Sequence, residues 1–138
     1  MSHNPDIFEL RIKVKPEHLD EQQHVNNVQY VQWVQDVAKA HWLKKATKEQ
    51  QEEVFWVVIE HHIKYKRQAF LDEELILHTF VTETTHVTTL RHVLIKNAET
   101  GKALVEAKTT WCLMKNDTKK PVKISDELKR LFSVERKS

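Results

Sequence analysis

The sequence predicts an α+β fold in which one long helix packs against one antiparallel sheet. Three observations predict it. Between Asn27 and Ala46, Tyr30, Val31, Val34, Val37, Ala38 and Trp42 recur at spacings of three and four, the period of a helix with one apolar face. Four β-rich runs follow with little interruption, over residues 54–66, 74–86, 88–96 and 103–114. The helix also carries apolar side chains on its flanks, at Val28, Trp33 and Ala40, so a sheet that wraps it is expected.

Each element has its own local reason. Residues 7–14 alternate polar and apolar from Phe8 onward, as a half-buried strand does, and Pro16 ends the run. Asn26 or Asn27 can cap the long helix by accepting a hydrogen bond from an otherwise unpaired amide. Lysines gather at its far end, where positive charge suits the dipole. Thr47 to Glu53 is polar and reads as a loop or frayed turn. In residues 54–66, Phe55, Val57, Ile59, Ile63 and Tyr65 are expected on one face, with Glu60, His62, Lys64 and Lys66 on the other. The stretch Asn97-Ala98-Glu99-Thr100-Gly101 reads as a hairpin turn with the only glycine at a left-handed position. The last strand places Ala103, Val105, Ala107, Trp111 and Leu113 on one face. Ser125-Asp126-Glu127 caps a short helix ending near Phe132. The whole chain, 1–138, reads as one domain, with residues 1–6 and 133–138 expected to be mobile.

Composition narrows the function classes. A chain of 138 residues can bury roughly 65–70% of its unfolded surface and needs no disulfide or metal staple. With 22 basic against 20 acidic residues, the charge is too balanced to argue for nucleic acid. A single glycine excludes the glycine-rich phosphate loops of P-loop and dinucleotide-binding proteins. No apolar run approaches the roughly 20 residues that span a bilayer. Cys112 is the only cysteine, so a reducing, cytoplasmic setting is expected. Mid-strand, it reads as a packed side chain rather than a nucleophile. His61 and His62 are adjacent on a strand and point to opposite faces, so they do not form a metal pair. No metal and no cofactor is expected.

The informative segment runs from Asp20 to Trp33: Asp-Glu-Gln-Gln-His-Val-Asn-Asn-Val-Gln-Tyr-Val-Gln-Trp. It sets a carboxylate, Asp20, and an imidazole, His24, in a loop that leads into a helix N-terminus. Free backbone amides and a positive dipole end then lie beside a possible base or nucleophile. That combination suits acyl transfer, with the amides holding a developing oxyanion.

The pattern Asp-x-x-x-His-Val-Asn-Asn-x-x-Tyr-x-x-Trp resembles the signature of hotdog-fold thioesterases of the 4-hydroxybenzoyl-CoA thioesterase class. Its Gln-His-Val-Asn-Asn-Val core is most similar to acyl-ACP thioesterases. The block Ile63-Lys64-Tyr65-Lys66-Arg67-Gln68-Ala69-Phe70-Leu71-Asp72-Glu73 and the stretch Pro121-Val122-Lys123-Ile124 extend the resemblance over nearly the whole chain. It implies a single hotdog domain that forms a homodimer with paired sites at the subunit interface, or a tetramer. It further implies that Asp20 is nucleophile or general base, that the Asn27 amide is the oxyanion donor, and that His24 assists. Gln23 stands where many relatives carry Gly, and Gln22 where the acyl-ACP branch often carries Asn.

Other residues complete the expected site. Gln22 can orient water, Tyr30 lines the helix core or pocket, and Lys64, Lys66 and Arg67 form a basic run suited to the phosphates of CoA or phosphopantetheine. The expected activity is hydrolysis of acyl-CoA or acyl-ACP in fatty acid metabolism. The alternative is a non-catalytic module that binds or senses acyl-CoA.

Overall fold

The computed structural model describes residues 3–135. Its centre is helix α1, Asn27–Lys45, capped by Asn26, whose side chain accepts the Val28 amide at 3.0 Å. Tyr30, Trp33, Val34, Val37, Ala38, His41 and Trp42 are buried on it. This stripe adds Trp33 and His41 to the face read from periodicity, whereas Val28, expected to be covered on a flank, is 73% exposed at the first turn of the helix.

Five strands form that sheet: β2 (Phe8–Lys13), β3 (Val54–Tyr65), β4 (Glu74–Thr84), β5 (Thr88–Asn97) and β6 (Ala103–Lys115). Their order is β2-β4-β5-β6-β3, all antiparallel. Together with α1 they make a single hotdog fold: one long central helix wrapped by an antiparallel sheet, with a short C-terminal helix, α3 (Asp126–Leu131). Leu75, Leu77, Val93, Ile95, Val105 and Ala107 pack with the first half of α1. Trp42, Leu113, Ile124, Leu128 and Phe132 close a second cluster at its far end. At the β5–β6 hairpin, Gly101 takes φ 74°, and Asn97 Oδ1 accepts the amides of Glu99 and Thr100.

Three local features differ from expectation. In β3 the register to β6 shifts between Val58 and Glu60, leaving Ile59 as a bulge that is 60% exposed. One extra residue exchanges the faces of a strand. Trp56 therefore meets Trp42 edge-on before the bulge, while His61 and Tyr65 turn toward α1 after it. Phe55 and Val57 do not share a face with Ile63 and Tyr65. The stretch read as a loop contains helix α2, Lys48–Glu53. Thr47 and Gln50 form a reciprocal capping box there, a signal present in the sequence. Finally, β1 (His3–Pro5) and β7 (Ser133–Glu135) pair antiparallel. Neither segment alternates, so only the tertiary fold supplies each with its partner. Residues 1–2 and 136–138, also expected to be mobile, lie outside the described residues.

Candidate active site

The motif residues lie between a 3-10 turn, Pro16–His18, and α1. Leu19 and Val25 face each other as an isolated antiparallel bridge, and the Asn26 amide donates to the His18 carbonyl at 3.0 Å. Residues 20–24 therefore close into a tight loop beside the helix start. Asp20 holds this loop together. Its amide donates to the His24 carbonyl at 2.8 Å, and its Oδ1 accepts the amides of Gln22 at 2.8 Å and His24 at 3.2 Å. Oδ2 has no hydrogen-bond partner among the described residues. The turn needs a left-handed residue, and Gln23 takes that role at φ 63°. A side chain there costs on the order of 1–2 kcal/mol, which gives the glycine of many relatives its physical reason.

His24 belongs to the same loop but its ring goes elsewhere. It pairs with Phe70 as an isolated bridge, and the two rings meet edge-on at 5.3 Å. No ring hydrogen bond joins it to Asp20 among the described residues. Asn26 spends its side chain on Val28, so the amide of Asn27, the first helical residue, is left without a partner among the described residues. Leu19, Asp20, Glu21, Gln22 and Asn26 line a shallow depression in front of this turn.

Tyr30 is buried and its hydroxyl accepts the Ala69 amide at 2.9 Å. Burial pushes the phenol pKa up, so the group stays a neutral acceptor. The Val25 amide donates to the Ala69 carbonyl at 3.1 Å, so the β3–β4 loop is bound to both the motif loop and α1. The same contacts bring the end of β3 to this side, with the Tyr65 and Tyr30 rings 6.0 Å apart. Of the basic run there, Lys66 pairs with Glu106 at 2.7 Å and Arg67 donates to the Ala103 carbonyl at 2.9 Å, while Lys64 is exposed.

Two features were missed in the sequence. A groove of about 530 Å³ runs beside α1 toward β3, lined by Gln35, Ala38, Trp42, Trp56 and Trp111 among others. At its polar wall, Gln35 meets His61 at 3.4 Å, and His61 meets Thr109 at 2.9 Å. Behind the groove lies a buried polar chain. His41 Nε2 contacts Asp6 Oδ2 at 2.8 Å, and Arg91 Nη1 donates to His41 Nδ1 at 2.9 Å and to Thr79 at 3.1 Å. Burial lowers the His41 pKa to about 4 against the raising effect of Asp6, and lowers that of Arg91 to about 10. The signal was a polar residue on an apolar period: His41 continues the stripe of Val34 and Val37, and Arg91 sits in register with Val93 and Ile95. No helix of the described residues is long and apolar enough to cross a membrane.

Known proteins share this architecture. The family described as acyl-ACP thioesterase N-terminal domain matches residues 5–132. None of the curated proteins matches the chain. Among solved structures, YbaW of Escherichia coli, assigned as a thioesterase, is 22% identical with a TM-score of 0.79, covering 89% of this chain and 94% of that one. Slr0204 of Synechocystis, a 1,4-dihydroxy-2-naphthoyl-CoA thioesterase, is 14% identical with a TM-score of 0.80, over 91% and 95%. A Lactobacillus plantarum protein assigned as an oleoyl thioesterase is 20% identical with a TM-score of 0.84. That match covers 94% of this chain and 51% of the other, so this chain spans about half of its length.

Proposed function

The chain belongs to the acyl-ACP thioesterase N-terminal domain family, and on that premise we propose that it hydrolyses acyl thioesters carried on CoA or on acyl carrier protein. Hydrolysis of thioesters is the general activity of this hotdog-fold family. One observation carries the reading. A carboxylate is fixed in the loop leading into α1 by two amides on one oxygen, while its second oxygen and the Asn27 amide at the helix start both have no partner among the described residues.

In this scheme Asp20 Oδ2 attacks the thioester carbonyl, or removes a proton from the water that attacks it. The oxyanion is met by the Asn27 amide and the N-terminal dipole of α1. Collapse breaks the C–S bond and expels the thiolate, which takes up a proton; the acid leaves directly or after water cleaves the acyl-enzyme. The signature from Asp20 to Trp33 is the basis for taking this scheme from the 4-hydroxybenzoyl-CoA thioesterase class. Gln22 contacts the incoming thioester from the depression it lines. His24 and Tyr30 act as positioning residues, through Phe70 and Ala69. Lys64, Lys66 and Arg67 gather the phosphates of the carrier arm.

The working unit in this proposal is a homodimer or tetramer that completes the site between subunits. The exposed edge of β3 supports it, with Ile59 60% and Tyr65 46% accessible on a strand whose outer edge has no neighbour in the sheet. A reducing, cytoplasmic setting is proposed on the free, buried Cys112.

A thiol-release assay over acyl-CoAs from short to long, with acyl-ACPs alongside, tests the activity. Turnover of at least one class supports it. Saturable binding with background release throughout would instead establish a non-catalytic acyl-CoA-binding module.

A further inference from the structure

Two cavities share one wall. The groove beside α1 is about 530 Å³, and a second cavity of about 650 Å³ lies under α3, lined by Val81, Ile124 and Leu128 among others. Trp56, Thr89 and Phe132 line both. Trp56 and Thr89 are strand residues of the sheet. Phe132 is different, because it comes from the C-terminal segment just after α3 and inserts from outside the sheet.

Phe132 is held from four directions. Its ring meets His41 edge-on at 4.9 Å and Trp42 at 6.3 Å, and the Arg91 guanidinium lies 5.2 Å from the ring centre. Its carbonyl accepts the Asp6 amide at 3.0 Å, and the next residues pair with β1. The two ends of the chain thus fix this ring between the two cavities. Between them it is 6% exposed.

We infer that Phe132 is a specificity-determining residue that ends the acyl channel, so that the length of chain the protein accepts is set where the groove meets this ring. The inference rests on the thioesterase reading above. The groove follows α1 from Gln32 to Leu43, along the same helix whose first amide is proposed above to meet the oxyanion. Phe132 stands level with His41 and Trp42. Fifteen residues separate Asn27 from Trp42, so the helix rises roughly 22 Å between them. An extended alkyl chain zigzags, so C–C bonds of about 1.5 Å advance it only about 1.25 Å each, and roughly 18 carbons cover that distance. Beyond the ring, the Val81, Ile124 and Leu128 wall would receive further methylenes if the partition were removed.

The test is the ratio of kcat/KM for eicosanoyl-CoA over hexadecanoyl-CoA in wild type, Phe132→Ala and Phe132→Leu. Removing the ring is expected to raise that ratio at least tenfold in Phe132→Ala, with a smaller rise in Phe132→Leu, the variant more certain to fold. A purely structural role would lower the melting temperature and depress both substrates equally, leaving the ratio unchanged, and that result overturns the inference. Displacement of a fluorescent fatty acid by hexadecanoate and eicosanoate provides a readout independent of turnover. Loss of thiol release in wild type sinks the activity. A length cut-off in displacement that is the same in all three proteins sinks the partition.

Discussion

Oδ1 of Asp20 accepts the amide of His24 at 3.2 Å, so the two residues are joined through backbone and not ring to carboxylate. The imidazole packs on Phe70, and the carboxylate's second oxygen, without a partner among the described residues, is the position proposed to react. This separates the two side chains that the motif sets side by side, and it sets what each substitution should do.

Asp20→Asn keeps an oxygen that can accept the Gln22 and His24 amides, so the loop should survive. Thiol release is expected to fall by about a hundredfold or more, in the range lost with a nucleophile or base. The melting temperature should stay near wild type. Near-wild-type turnover would remove Asp20 from the chemistry.

His24 should tolerate an aromatic replacement. His24→Phe preserves edge packing on Phe70 and is expected to keep kcat/KM within about threefold of wild type. His24→Ala loses a ring pair worth about 0.5–1.5 kcal/mol, and up to about tenfold in kcat/KM if that energy positions the loop. If both variants lose activity equally, the imidazole takes part chemically.

Tyr30→Phe removes one oxygen from the core. The buried Ala69 amide then has no acceptor, which costs about 1–3 kcal/mol. Chemical denaturation should show that loss, and amide exchange at Ala69 should accelerate. Unchanged exchange would mean that the loop is held by other contacts.

The His41 chain predicts a pH dependence of stability. Arg91 donates to Nδ1, so the ring must be neutral there, with the proton on Nε2 facing Asp6. The folded pKa of about 4 lies below the usual 6.5 because of burial. The unfolded chain therefore binds the extra proton first. The stabilising contribution is present above pH 6.5 and is lost as pH falls toward 4, at most about 3 kcal/mol in all. Melting curves at pH 7.5 and pH 4.5 should show a larger drop for wild type than for His41→Gln, whose amide can keep both hydrogen bonds without titrating. Equal drops would place the titration elsewhere.

Much of this molecule is local enough to be legible in its sequence. The period of three and four over α1, the alternation in β2 and β6, the Asn97–Gly101 hairpin and the Ser125 cap each depend on neighbours a few residues apart. The resemblance carried by Asp20 to Trp33 pointed to the fold and to the site's loop. The bulge at Ile59 was hidden because an extra residue leaves composition unchanged while reversing every side chain beyond it.

Thus the sequence by itself determined the long helix, the strands of the five-stranded sheet, a cap at Asn26 or Asn27 and the placement of Asp20 just before a helix N-terminus, all consequences of short-range periodicity and hydrogen bonding. Only the tertiary structure decided that His24 turns to Phe70, that Tyr30 anchors Ala69, and that Asp6, His41 and Arg91 form one buried chain. It also placed Phe132 between two cavities. The physical reason is common to all four: each contact joins groups from different elements, and its geometry exists only once the sheet has closed around α1.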